Sequence, residues 1–236
     1  MEELHATAKR TVTKTYALEY LLTLPDDYGR PPGVRYPLVL FLHGAGERGH
    51  DLEAIKKHGI KELTEFQARY DFILAAPQCP PDTWWVDQME ALDQLLDDVC
   101  SSYRVDQTRI YLTGLSMGGY GTWHYAVRHP ERFAAVVPIC GGGTWWNGYP
   151  EMVRTIKNVP VWAFHGADDD IVPLSASQEL VDALEEVNGN VRFTVYPGVT
   201  HDSWTQTYQN PDLYVWLFRH ARSKKAEPRM DTDKHG

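Results

Sequence analysis

Thr113-Gly114-Leu115-Ser116-Met117-Gly118-Gly119 decides how this chain is read. Before it, Thr108-Arg109-Ile110-Tyr111-Leu112 carries the β-rich apolar residues of a strand. After it, from Tyr120 to Val127, the apolar residues recur at helical spacing. A buried strand therefore turns sharply into a helix, with Ser116 at the turn. Gly114 and Gly118 flank the serine where a Cβ would crowd the crossing of strand and helix. Ser116 itself is expected in a sparsely populated φ/ψ region, a strain of about 1–3 kcal/mol that the surroundings must hold. Gly-x-Ser-x-Gly in a strand–turn–helix context is the pattern of a nucleophile elbow, which lifts a hydroxyl above the sheet. The bare pattern is common by chance, so its partners in the chain must decide.

A serine hydroxyl needs an adjacent base, and the base needs a third group to orient it. On an elbow the chain order is serine, then Asp or Glu, then His. Three histidines follow the acidic loop: His201, His220 and His235. His220 is expected inside the last helix and His235 in the tail. His201 lies in a strand-end loop between Gly198 and Asp202, and is the candidate base. The acid must come from Asp168, Asp169 or Asp170, and spacing alone does not choose among them. Three adjacent carboxylates repel one another, so one is expected to turn inward. Negative charge developing on a carbonyl oxygen calls for preset backbone N–H donors. Met117, at the helix N-terminus, supplies one. The other is assigned to Ala45 in His43-Gly44-Ala45-Gly46, and a dinucleotide-binding reading of that glycine pair is set aside.

The rest of the chain alternates strand and helix. Tyr16–Leu24 reads as an edge strand, and Tyr36–Leu42 as a strand covered on both faces. Further strands are read at 72–76, 133–139, 161–164 and 191–196. Helices are read at 52–57, 61–68, 89–103, 150–157, 174–187 and 211–221. With no internal repeat, this predicts an α/β fold: a doubly wound, mostly parallel sheet flanked by helices. Right-handed crossovers place every candidate loop at the same edge of that sheet. Residues 1–14 are expected to be a flexible segment, 15–221 one domain, and 222–236 a disordered tail.

Hydrophobic residues at 43% and charged ones at 23% are ordinary for a globular protein. The net charge of −9 argues against nucleic acid or an anionic membrane as a partner. No transmembrane span is read, and no signal peptide in the charged start Met1-Glu2-Glu3-Leu4-His5. Cys79, Cys100 and Cys140 have no metal-ligand spacing and read as small hydrophobes in a reducing compartment, which makes the cytoplasm the expected location unless a leader has been removed. No metal or cofactor is called for. The oligomeric state is open, a homodimer included.

Five of the eight tryptophans sit on strand-end loops: Trp84, Trp85, Trp145, Trp146 and Trp204. Together they suggest an aromatic-walled pocket for an apolar or aromatic group. Trp123 and Trp162 are assigned to the core. Between Ile139 and Val161 there is room for one Gly-rich loop and one short helix, so the site is expected to be open and to favour small, short-chain substrates.

LHGAGERG (from Leu42), APQCPPDTWW (from Ala76), GLSMGG (from Gly114), HGADDDIVP (from His165) and GVTHDSW (from Gly198) resemble the serial motifs of the α/β-hydrolase superfamily. The likeness runs from about residue 16 to 220. It is greatest to the small carboxylesterase/phospholipase branch, relatives of the acyl-protein thioesterases. The resemblance implies an α/β-hydrolase fold without a large lid domain, and a serine hydrolase that cleaves small carboxylic esters through an acyl-enzyme. Matching His165, Gly166, Val172 and Pro173 to the family pattern puts the acid on Asp169. The relatives often carry proline directly after the acid, where this chain has Asp170, so Asp168 stays an alternative. A thioesterase or a feruloyl-type esterase is the nearest rival reading. A peptidase is weaker, and a non-catalytic binding protein of this fold weakest, because all three triad positions are filled.

Overall fold

The computed structural model describes residues 7, 9–10, 13–30, 32–143 and 149–223. Seven strands form one sheet: β1 (Tyr20–Thr23), β2 (Tyr36–Leu42), β3 (Ile73–Pro77), β4 (Val105–Leu115), β5 (Ala135–Ile139), β6 (Val161–Gly166) and β7 (Val191–Tyr196). Their order across the sheet is β1-β3-β2-β4-β5-β6-β7. Only β1 is antiparallel, pairing Tyr20 with Pro77 at the sheet edge. Every other pairing is parallel, so β2 to β7 all end at one edge. The helices are α1 (Ile60–Tyr70), α2 (Met89–Ser102), α3 (Met117–Arg128), α4 (Tyr149–Val153), α5 (Ser175–Glu185), α6 (Trp204–Gln209) and α7 (Pro211–Phe218).

The continuous apolar run of β2 has the cause inferred from it: all seven residues are buried. Side chains alternate across a strand, so Leu38, Leu40 and Leu42 join one core and Val39 and Phe41 the other. The first core packs under α2, α3 and α5, with Leu92, Leu96, Trp123 and Leu184 fully buried. The second packs under α1, α6 and α7, where Phe66 stacks on Tyr214 with ring centroids 3.9 Å apart. Trp123 and Trp162 are core residues, as expected.

Several element boundaries move. The edge strand is four residues long, because only Tyr20–Thr23 finds a partner in β3. The last helix begins where Asn210 accepts the Asp212 N–H at 3.0 Å with Pro211 in its first turn, and ends at Phe218. His220 therefore lies beyond it. The main-chain N–H of Arg222 donates to the Thr108 carbonyl at 2.8 Å, tying the chain at least that far to the start of β4. Residues 1–6 and 224–236, most of the two terminal segments assigned from sequence, lie outside the described residues.

Candidate functional site

Ser116 sits between β4 and α3 with φ 53° and ψ −117°, a left-handed conformation rare for any residue but glycine. The glycines explain how the turn closes. A Cβ on Gly118 would collide with the Leu42 carbonyl oxygen, and one on Gly114 would lie 2.7 Å from the same atom. Backbone from β2, β4 and α3 thus meets with no side chain between. The Ser116 N–H donates to Ile139 O at 3.0 Å, which pins the turn to β5 as well.

The loop after β7 brings His201 to the serine: Nε2 lies 2.9 Å from Ser116 Oγ. Its Nδ1 donates to Asp169 Oδ2 at 2.8 Å. Since a carboxylate can only accept, that bond leaves Nε2 to accept from the serine hydroxyl. Asp169 Oδ1 takes the backbone N–H groups of Ile171 and Val172, each at 2.9 Å. Burial pushes the Asp169 carboxyl up, but the His201 bond and these two N–H donors hold it below its ordinary value, so it stays ionised. Asp168 and Asp170 are exposed. Of the three adjacent carboxylates, Asp169 is the one that reaches His201.

Ala45, Ser116 and Met117 line one cavity of about 420 Å³. The loop that carries Ala45 is fixed by His43. Its Nδ1 donates to Gly44 O at 2.6 Å and its Nε2 accepts the Cys79 N–H at 2.9 Å. Those partners set one neutral tautomer, and burial holds the ring down at about 4, against an upward pull from the Gly44 bond. Gly44, Gly46 and Gly49 together have G-x-G-x-x-G spacing, so spacing does not by itself reject a dinucleotide loop. What rejects it is that no α-helix opens at the glycines: a three-residue 3-10 turn, Ala45–Glu47, lies among them, and the next α-helix begins only at Ile60.

The tryptophans divide. Trp84 lines the cavity and is 40% exposed, with the Arg48 guanidinium 5.5 Å from its ring centre. Trp85 is not a pocket wall. It is fully buried, and its Nε1–H donates to His43 O at 2.9 Å, supporting the Ala45 loop from behind. Trp84 is the extended residue before the 3-10 turn and Trp85 its first residue, so the two rings leave the chain in different directions, one to the cavity and one to the core. Trp204 is not a wall either: it packs edge-on against His201, ring centroids 5.3 Å apart, and against His58 on its other side. Trp145 and Trp146 lie outside the described residues. Sequence reasoning missed Tyr120, Tyr149 and Val172, which line the cavity. Tyr120 carried a signal, since four residues after Ser116 puts it on the same helical face.

Cys140 closes the far side. Its sulfur and ligand atoms of Asp169 and His201 lie within 4.8 Å of one another, the one metal-like cluster among the described residues. Burial pushes its thiol well up, so it stays protonated, a poor ligand that fills space behind the histidine. No helix among the described residues is long and apolar enough to cross a membrane.

Against known proteins, residues 83–214, more than half of the chain, match the phospholipase/carboxylesterase family model. Acyl-protein thioesterase 1 of Cryptococcus neoformans is 24% identical over 220 residues, covering 76% of this chain and 90% of that protein. A thermostable esterase of known structure superposes with a TM-score of 0.78 at 38% identity over 87% of this chain. This chain spans only 60% of that esterase's length. The feruloyl esterase module of Clostridium thermocellum, solved with sinapinate, reaches a TM-score of 0.70 over 89% of this chain and 86% of its own; at 18% identity it shares the fold. The chain therefore belongs to the phospholipase/carboxylesterase family, ester-cleaving α/β-hydrolases related to the acyl-protein thioesterases.

Proposed function

We propose that this chain is a serine esterase that cleaves small carboxylic esters of short-chain or aromatic acids through an acyl-enzyme. The observation that carries the reading is the unbroken line from Ser116 Oγ through His201 to Asp169, opening on a cavity also lined by Ala45 and Met117. Ser116 Oγ attacks the ester carbonyl while His201 Nε2 takes its proton. Asp169 holds the ring in the accepting tautomer and stabilises the imidazolium that forms. The N–H groups of Met117 and Ala45 receive the oxyanion. His201 then gives its proton to the leaving alkoxide, and a water attacks the acyl-enzyme by the same route in reverse. The acyl group occupies the cavity between Trp84, Tyr120 and Tyr149, whose flat rings suit an aromatic or short apolar chain. No cofactor enters the reaction, and the partner is the ester itself.

A thioester is the second reading, favoured by the likeness to an acyl-protein thioesterase along 90% of that protein. A fluorophosphonate probe and a matched set of p-nitrophenyl esters and thioesters test both. The expected result is labelling of Ser116, turnover peaking at about two to six acyl carbons as the cavity fills at roughly 0.8 kcal/mol per CH₂, and loss of both signals in Ser116→Ala. An unlabelled wild-type protein, or a Ser116→Ala variant with near-full turnover, sinks the reading. A thioester preferred tenfold or more over its oxygen ester selects the second.

A further inference from the structure

His165, the last buried side chain of β6, lies behind the proposed triad and has no part in the mechanism above. Its ring is fully buried, and so is the side chain of Asp169, whose Oδ2 lies 3.2 Å from His165 Nε2. The same Nε2 lies 2.9 Å from the Val172 carbonyl oxygen. On the other side of the ring, Nδ1 is 2.8 Å from Ser177 Oγ, and that hydroxyl donates to the Gly141 carbonyl at 2.6 Å.

The protons in this chain can be counted. Three links need one each: Gly141 to Ser177, Ser177 to Nδ1, and Nε2 to the oxygens of Val172 and Asp169. Ser177 supplies one. With its hydroxyl donated to Gly141, it can only accept from Nδ1, which must therefore carry a proton. The atoms facing Nε2 are a carbonyl and a carboxylate oxygen, neither of which can donate, so Nε2 must carry one too. A neutral ring leaves one buried link unmade, which a low-dielectric interior penalises heavily.

Charge leads to the same state. Asp169 is an ionised carboxylate with a fully buried side chain, and an uncompensated buried charge is costly. Among the described residues its ion-pair partners are His165 and His201, with no lysine or arginine in reach. His201 must be neutral to act as a base. Burial, which is the largest influence, together with the nearby His201 ring pushes His165 below its ordinary value despite the upward pull of the Val172 carbonyl and the Asp169 carboxylate. The case for the second ring proton is therefore the hydrogen-bond geometry, which leaves both nitrogens facing acceptors. The titratable groups that reach His165 are Asp169, on the loop that follows it, and His201, after β7. Helix α5 offers only the Ser177 hydroxyl, and the loop after β5 the Gly141 carbonyl.

We propose that His165 is a positioning residue that carries both ring protons in the resting protein, so that Asp169 is shared between a permanent imidazolium and the His201 ring. The carboxylate is then oriented from two sides. His165 Nε2 lies 3.2 Å and His201 Nδ1 2.8 Å from Asp169 Oδ2, so the two nitrogens are at most 6.0 Å apart, close enough for one cation to disfavour the other.

The kinetic part rests on the esterase reading, and the spectroscopic part does not. In the ¹⁵N-labelled full chain near pH 8, long-range ¹H–¹⁵N spectra should give one histidine with both ring nitrogens protonated, assigned to His165 by Overhauser contacts to Ser177 and unchanged from pH 6 to 9. In His165→Gln the acid limb of the kcat/KM profile should move to higher pH by about one unit or more, because a like charge at 4–6 Å is removed. A His165 ring with a single proton overturns the proposal, whether or not the variant folds. A folded His165→Gln protein with an unmoved acid limb overturns it equally. Failure of the esterase reading would appear separately, as wild-type protein that no fluorophosphonate labels.

Discussion

Replacing Asp169 with asparagine probes the site at its narrowest point. The carboxylate accepts three hydrogen bonds, two backbone N–H groups on Oδ1 and the His201 ring on Oδ2, and His165 Nε2 lies 3.2 Å from that same Oδ2. An asparagine has one oxygen to offer. The backbone donors of Ile171 and Val172 cannot move without unwinding their loop, so they take that oxygen. The amide NH₂ is left facing His201 Nδ1, where it can only donate. That forces the proton of His201 onto Nε2, and the ring can no longer accept from Ser116. A comparable tautomer change elsewhere costs about 10⁴ in kcat, or roughly 5 kcal/mol of transition-state stabilisation at 1.36 kcal/mol per tenfold. Asp168→Asn and Asp170→Asn, both at exposed positions, should stay within about twofold of wild type. The assay is p-nitrophenyl butyrate hydrolysis, with the folded fraction followed by circular dichroism. A native-like Asp169→Asn protein keeping more than a tenth of wild-type kcat, or an Asp168→Asn protein falling as far, would refute the reasoning.

Gly118→Ala should destabilise the fold by about 3 kcal/mol or prevent folding, since the new Cβ meets backbone that cannot yield. Gly46→Ala is its control: nothing lies within 4 Å of a Cβ there, and its melting temperature should barely move. His43 gives a stability prediction with a definite sign. The unfolded ring takes a proton near 6.5 and the folded one only near 4, so the unfolded state binds more protons as the pH falls between those values. Stability is full above 6.5 and declines toward 4, by about 3 kcal/mol in all. Urea denaturation at pH 7.5 and 4.5 should find that loss, and His43→Asn should remove most of it; an unchanged slope would count against a buried neutral ring.

Much of the fold was legible because its strands are covered on both faces. Tyr36–Leu42 matches its expected bounds from its unbroken apolar run; Val191–Tyr196, a partly exposed edge strand, matches too, from β-branched residues that follow the turn Asn188-Gly189-Asn190. The elbow was legible for a different reason: its glycines are required by backbone contact, which no other residue type satisfies. The short helix Trp204–Gln209 was missed, since six residues are too few for a period to register. The pocket was misread in part because composition reports which loop bears an aromatic ring but not which way it points. Trp84 and Trp85 are neighbours in sequence, yet one meets the cavity and the other the core. His165 left a trace that went unused. Both β2 and β6 run into a His-Gly pair, and in both the ring is buried and hydrogen-bonded at each nitrogen.

The backbone contact among Leu42, Gly114 and Gly118 has a consequence for how such a site can change over time. The nucleophile and the Ala45 loop belong, in effect, to one rigid casting, because no side chain lies between the strands that carry them. The walls of the cavity come from elsewhere: Tyr149 from a short helix, Val172 from a strand-end loop, Trp84 from a turn. Substitutions in those walls can reshape what is admitted while the reacting atoms keep their spacing. Lineages descending from such a chain are therefore free to trade one acyl group for another by small steps, and are barred from altering the elbow except by losing it.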